Sequence, residues 1–319
     1  MLHIFIFFNK SSNMSIIVFP GQGSQYLNMA MDFNETFLVA RDVFQEIEDT
    51  TRINIRKIIA ENQNDKLNQT KYTQISIFSA SMAIYFTLLN QIGRDAIKPK
   101  IVLGHSLGEY SALVANDTLN LDDASKLIKI RGELMQSTIK PNTSGMAAII
   151  GKDTEFIEEV IKKNNLDVVV SNDNSPVQVV ISGLLTNINS AEEVFNSIGV
   201  KRYVKLKVSA AFHSKYMKHA QEKLVDEIDK TTFKNSDIPI ISNYDAKINS
   251  ELDKVIYSLK NQMINKVKWT DSIKKLEEID INKIIEIGPG KVLSGLISRI
   301  SKKFDIVSVD KIQDLEKFK

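Results

Sequence analysis

The stretch "KIVLGHSLGEYSALVA" (100–115) constrains the fold of this chain more than any other. A β-type apolar run meets Gly104-His105-Ser106-Leu107-Gly108, and the residues after it resume with helical spacing. Strand, sharp turn and helix form the setting in which G-x-S-x-G becomes a nucleophile elbow, with Ser106 at its tip. An elbow of this kind belongs to an α/β protein with a largely parallel sheet, so strands and helices should alternate along the chain.

They do. "SIIVF" (15–19) reads as a buried strand ended by Pro20-Gly21, and "YTQISIFSASMAIYFTLLNQIG" (72–93) as a buried helix, apolar on nearly every side. A helix follows Leu121 to about Ser137. "DIPIISN" (237–243) and "INKIIEIG" (281–288) are further strands, the second closing in Gly288-Pro289-Gly290 before the helix "KVLSGLISRI".

The middle of the chain has a different order. "GMAAIIG" (145–151) is a strand and "DTEFIEEVIKKNN" (153–165) a helix with Asp153 or Thr154 as N-cap. "LDVVVSN" and "VQVVISG" are strands on either side of a "DNSP" turn. "SAEEVFNSIG" is a helix stopped by Gly199, and "KRYVKLKV" (201–208) is a last strand. The order β-α-β-β-α-β is that of a ferredoxin-like unit. The expected fold class is therefore α/β: a hydrolase-like, parallel-sheet large domain (14–139 and 208–319) with an inserted ferredoxin-like subdomain (140–207). A cleft between two such bodies is the natural place for a ligand.

Composition removes several function classes. Lys+Arg of 41 against Asp+Glu of 39 leaves a net +2, without the basic excess of a nucleic-acid binder. There is no cysteine, hence no thiol nucleophile, disulfide or thiolate-bound metal, which fits a reducing, cytoplasmic setting. No metal constellation and no transmembrane segment is read. The N-terminal "MLHIFIFFNKSSN" is too short to span a bilayer and lacks the basic start and cleavage site of a secretory signal. With Met14 just before the first strand, residues 1–13 are expected to be an upstream start-site artefact or a loose extension.

Ser106 needs a base to react, and the chain holds only His3, His105, His213 and His219. His105 occupies the elbow position whose side chain points away from the nucleophile, so packing under the turn suits it better. His213, in "VSAAFHSKYM", follows the strand that returns from the inserted unit and can reach the elbow across a cleft, whereas His219 reads as a solvated histidine. Arg131 falls on the apolar stripe of its helix with Leu121, Ala124, Leu127, Ile128, Leu134 and Met135. A buried guanidinium should meet a carboxylate or several carbonyls. It is an internal ion pair, a snorkelling side chain, or a site for a substrate carboxylate, which a planar fork binds with two parallel bonds. "FPGQGSQ" (19–25) is neither a dinucleotide fingerprint nor a P-loop: Tyr26 replaces the third glycine and no G-K-[ST] follows. Its exposed N–H groups suit an oxyanion hole, with Gln22 and Leu107 as donors.

An α/β-hydrolase would place its histidine near the chain end, yet about a hundred residues follow His213. The motifs "VFPGQGSQ" (18–25), "GHSLGEYSAL" (104–113), "RGELMQ" (131–136), "GMAAIIG", "NSPVQVVISG" (174–183), "FHSKYM" (212–217), "KVKWTDSI" (266–273) and "EIGPGKVLSGL" (286–296) instead occur in the order found in another family. From about residue 15 to about residue 310 the chain resembles the malonyl-CoA:acyl-carrier-protein transacylases of type II fatty acid synthesis. The resemblance implies transfer of malonyl from coenzyme A to the phosphopantetheine thiol of acyl carrier protein, by a ping-pong route through a malonyl-serine. It implies no permanently bound cofactor, the coenzyme A thioester being a substrate, and a monomer as the working form.

By that resemblance Ser106 matches the nucleophile, His213 its general base, Gln22 and Leu107 the oxyanion-hole positions, and Arg131 the partner of the malonyl carboxylate. Gln262 matches the residue whose main-chain carbonyl orients the histidine, in a family that uses no side-chain carboxylate there. Leu after the nucleophile and Phe before the histidine accompany malonyl selection in relatives, and Leu107 and Phe212 match both. Val177, Ala211 and Lys266 depart from a usual Gly, Pro and Pro, and each bears on loop geometry rather than on a reacting atom. Carrier proteins are generally acidic, so Lys205 and Lys207 are candidates for a basic rim or belong to an ordinary solvated face. A discrete acyltransferase serving a polyketide synthase is the near alternative; a serine esterase and a non-catalytic carrier-binding protein are remoter ones.

Overall fold

The computed structural model describes residues 14–318, so the proposed extension 1–13, with His3, lies outside the described residues. In chain order the strands are β1 (Ser15–Phe19), β2 (Pro99–Gly104), β3 (Ser144–Ile150), β4 (Val168–Ser175), β5 (Gln178–Leu184) and β6 (Arg202–Lys205). They continue with β7 (Ile240–Ile241), β8 (Ile248–Asn249), β9 (Val267–Lys268), β10 (Lys283–Ile287) and β11 (Asp305–Val309).

One sheet runs in the order β11-β10-β1-β2-β7-β8 and is parallel throughout except for its last pair. β1 shows why it is an inner strand. Ile17 and Phe19 join the core on one face and Ile16 and Val18 the core on the other, all fully buried, as a sheet covered by helices on both sides demands. The second sheet runs β6-β3-β5-β4-β9, and its first four strands are antiparallel, the ferredoxin-like arrangement expected from the segment order. Ala147, Ile149, Val179 and Ile181 pack under the helices Thr154–Lys163 and Leu185–Ser197. Met146, Ala148 and Val180, on the opposite pleat, face the other body.

The helix Thr70–Ile92 is long and apolar enough to cross a bilayer, but most of it is buried inside the protein. Two of its buried hydroxyls bond the preceding turn: Ser79 Oγ donates to the Ile75 carbonyl and Thr87 Oγ1 to the Ala83 carbonyl, each at 2.7 Å.

Several boundaries differ from expectation for identifiable reasons. Asp153, not Thr154, caps the Thr154–Lys163 helix by accepting from Phe156 N. β4 runs through the "DNS" of the expected turn, which tightens to Pro176-Val177. β6 stops at Lys205 because the chain then bends to bring Leu206 and Val208 to the cleft. Only Ile240–Ile241 of 237–243 pairs as strand. Residues 31–61, which carry no motif, form the helices Met31–Thr36, Leu38–Thr51 and Ile55–Glu61.

The departures at loops are absorbed. Val177 needs no left-handed backbone, the Ala211 N–H donates to Ser144 Oγ at 3.1 Å where proline could not, and Lys266 pairs with Glu158 at 2.8 Å. β9 adds a parallel strand to β4, so a segment from beyond residue 207 completes the sheet begun by the inserted unit.

Candidate active site

The carboxyl ends of β1, β2, β7 and β10 converge on one edge of the parallel sheet, where open α/β sheets bind ligands. At the end of β2 the chain turns through Ser106 at φ 51°, a left-handed conformation that a non-glycine residue adopts at a cost. The flanking glycines make the turn sterically feasible. A Cβ on Gly104 would lie 1.9 Å from the Gly108 carbonyl carbon, and one on Gly108 2.1 Å from the Phe19 carbonyl oxygen. Asn243, just past β7, locks the turn: its Oδ1 accepts from Ser106 N at 2.6 Å and its Nδ2 donates to the Gly104 carbonyl at 2.6 Å.

Ser106 Oγ donates to His213 Nε2 at 2.8 Å. His213 Nδ1 faces two main-chain carbonyls, Gln262 at 3.0 Å and Asn265 at 3.2 Å. Carbonyl oxygens only accept, so the ring proton resides on Nδ1 and Nε2 presents its lone pair to the serine. His213 is itself in a left-handed conformation (φ 53°) and 4% exposed. Burial, and then the nearby Arg131 charge, push its pKa down to about 3, against the two carbonyl contacts. The imidazole is therefore neutral, and competent as a base, throughout the neutral range.

Arg131 is the largest charged side chain in the interior, at 1% exposure. Of the two expected kinds of partner, it meets carbonyls rather than a carboxylate. Nη1 donates to Gln74 Oε1 at 2.6 Å, and Nη2 to Gln262 Oε1 at 2.9 Å and to Ser106 Oγ at 3.0 Å. Among the described residues no carboxylate touches the guanidinium, and Nε has no partner. Burial draws its pKa below the usual arginine value while the Tyr110 ring, 5.5 Å away, and Glu109 oppose the shift. A buried cation with unfilled donor capacity beside a serine hydroxyl can accept a further anionic partner.

A cleft of about 270 Å³ opens over these groups, lined among others by Gln22, Leu107, Met146, Val180 and Phe212. Among the described residues neither the Gln22 nor the Leu107 N–H has a protein partner, so both can donate into the cleft. Phe212, 5% exposed, forms part of the wall.

Among the described residues, His105 and His219 fall as read. His105 is half-buried, with Nε2 2.7 Å from Asn174 Oδ1 and its ring against Trp269, while His219 is exposed. Lys205 pairs with Glu192 at 2.8 Å. Lys207 is exposed between two cleft-lining residues. Sequence reasoning missed Gln74, Glu109, Asn243 and Asn265, and for Gln262 it missed the side chain, which bonds Arg131 as well.

A family model described as acyl transferase domain matches residues 16–313. The malonyl CoA-acyl carrier protein transacylase of Bacillus subtilis is 36% identical over 303 residues, covering 94% of this chain and 94% of its own length. That of Escherichia coli is 36% identical over 285 residues, covering 89% and 91%. Among solved structures, a malonyl-transacylase in complex with its type II polyketide acyl carrier protein superposes with a TM-score of 0.91 at 34% identity, covering 96% of this chain and 99% of the other. An acyl carrier protein S-malonyltransferase from Vibrio cholerae gives 0.90 at 35%, covering 97% and 100%.

Proposed function

The chain belongs to the acyl transferase domain family, and from that premise we propose that it moves malonyl from coenzyme A to the phosphopantetheine thiol of an acyl carrier protein, supplying extender units for fatty acid synthesis in the cytoplasm. The observation that carries the substrate choice is Arg131 Nη2 at 3.0 Å from Ser106 Oγ. A guanidinium so close to the attacking oxygen favours an acyl group that bears its own carboxylate.

In this reading Ser106 Oγ attacks the thioester carbonyl as its proton passes to His213 Nε2. The Gln22 and Leu107 N–H groups hold the oxyanion. Collapse of the tetrahedral adduct breaks the carbon–sulfur bond, and the coenzyme A thiolate leaves with the proton from His213. The carrier thiol then gives its proton to His213, attacks malonyl-Ser106, and the proton returns to Ser106 Oγ. The Gln262 carbonyl keeps the His213 tautomer, and Phe212 limits bulk at the acyl position. The large catalytic body (14–139 and 208–319) supplies the reacting groups, and the unit at 140–207 supplies the opposite wall of the cleft.

Labelled malonyl-CoA mixed with the protein tests this. Label should appear on Ser106 and move to added holo carrier protein; failure to label Ser106, or equal labelling by acetyl-CoA, overturns the reading. A second reading, loading of a polyketide carrier protein, is favoured by the likeness to the malonyl-transacylase seen with its polyketide carrier. Faster transfer to a polyketide-type holo carrier than to a fatty-acid one would select it.

The depressed His213 pKa has a consequence for stability. Between pH about 3 and 6.5 the unfolded chain binds a proton at His213 that the folded chain refuses, so stability falls as pH drops through that window. Buried Glu109 acts in the opposite sense, its carboxyl pushed up to about 7, so folding is favoured by its protonation as pH falls. Replacing His213 with glutamine removes only the first effect. Between pH 6.5 and 4 the variant should lose less stability than the parent, by up to about 3 kcal/mol in urea titrations. Identical losses would show that His213 is not held neutral.

A further inference from the structure

Glu109 lies three residues after the nucleophile, 1% exposed, and the mechanism above leaves it idle. Its Oε2 accepts from Gln262 Nε2 at 2.8 Å and from Asn243 N at 3.2 Å. Those two residues reach three groups of the site: Asn243 Oδ1 fixes Ser106 N, the Gln262 carbonyl meets His213 Nδ1, and Gln262 Oε1 accepts from Arg131 Nη2. Gln262 Nε2 also donates to the Ser106 carbonyl at 2.9 Å.

A primary amide has one donor end and one acceptor end. Two acceptors, Glu109 Oε2 and the Ser106 carbonyl, face the donor end of Gln262. The acceptor end is thereby turned to Arg131. With the amide reversed, its NH₂ would confront the guanidinium, donor against donor, in a site that excludes most water. We propose that Glu109 is a positioning residue for acyl selection: through the Gln262 side chain it aims Arg131 at the carboxylate of the incoming acyl group. Glu109 is also the carboxylate that Arg131 lacks in direct contact, displaced from it by one amide.

The inference rests on the malonyl-transfer reading, so wild-type enzyme is assayed in parallel. Glu109→Met fills the space without an acceptor; Glu109→Gln keeps an acceptor oxygen. Single-turnover labelling with malonyl-CoA and with acetyl-CoA reads the two specificities. For Glu109→Met the malonyl kcat/KM should fall on the order of 10- to 100-fold more than the acetyl value, and Glu109→Gln should restore most of the malonyl preference. An equal loss for both acyl groups, an unchanged ratio, or no recovery in Glu109→Gln overturns the proposal. If Glu109→Met does not fold, Glu109→Asp withdraws the oxygen by one methylene and is read by the same ratio. Failure of the wild type itself to transfer malonyl would instead strike the functional reading.

Discussion

Replacing Ser106 with alanine should abolish the malonyl-enzyme and lower carrier-protein malonylation by on the order of 10⁶ in kcat, the loss expected when a serine nucleophile is removed from an assembled base and oxyanion hole. The argument is local. Ser106 is the hydroxyl that His213 Nε2 and Arg131 Nη2 both reach, at 2.8 and 3.0 Å, so no neighbouring oxygen can take its place in that geometry. The variant should nevertheless fold. Alanine and serine bear similar costs at φ 51°, and the backbone of the turn is held by Asn243 and the elbow glycines rather than by the hydroxyl. Stability should stay within about 1 kcal/mol of the parent, as water enters the open side of the site to replace the lost contacts. Intact-protein mass spectrometry after incubation with malonyl-CoA decides the matter. A retained malonyl adduct would assign the nucleophile to another residue.

The parts of this molecule that could be read from its sequence are those with short-range signatures. β1 and β2 announce themselves as apolar runs closed by glycine, and the elbow joins strand to helix within five residues. The β-α-β-β-α-β order was readable for the same reason, since each element carries its own period. Arg131 stood out because a charge on an apolar helical stripe conflicts with its surroundings. What was not readable depends on where tertiary packing delivers a side chain. Gln262 and Glu109 are 153 positions apart, and nothing local in either marks a hydrogen bond between them. Glu109 stands inside the quoted elbow motif, yet on a helix with little amphipathic contrast its burial has no sequence signal. Gln74 was hidden likewise within a helix read as core, although it supplies an acceptor to Arg131. Of the two partners expected for Arg131, a carboxylate or several carbonyls, the structure supplies the second: two amide carbonyl oxygens and a hydroxyl meet the cation, which leaves it capacity for an anion.

That spare capacity sets the second large effect. Arg131→Ala should reduce malonyl transfer on the order of 10³-fold and raise acetyl transfer relative to it, because the malonyl carboxylate would enter a buried site with no countercharge. For acetyl the balance reverses. In the parent an uncharged acyl group displaces water from the guanidinium without returning a hydrogen bond, and the alanine variant removes that penalty. The pH profile supplies an independent check. Arg131 helps depress His213, so its removal raises the His213 pKa from about 3 toward the ordinary imidazole value. Transfer requires neutral His213, hence the acid limb of acetyl kcat/KM should move to higher pH in Arg131→Ala than in the parent. Arg131→Lys keeps the charge but not the two-pronged fork, so it should preserve the parent's acid limb while still losing much of the malonyl rate. If malonyl transfer survives Arg131→Ala with its preference over acetyl intact, Arg131 is a structural cation, and the selection of a carboxylated acyl group must come from another wall of the cleft.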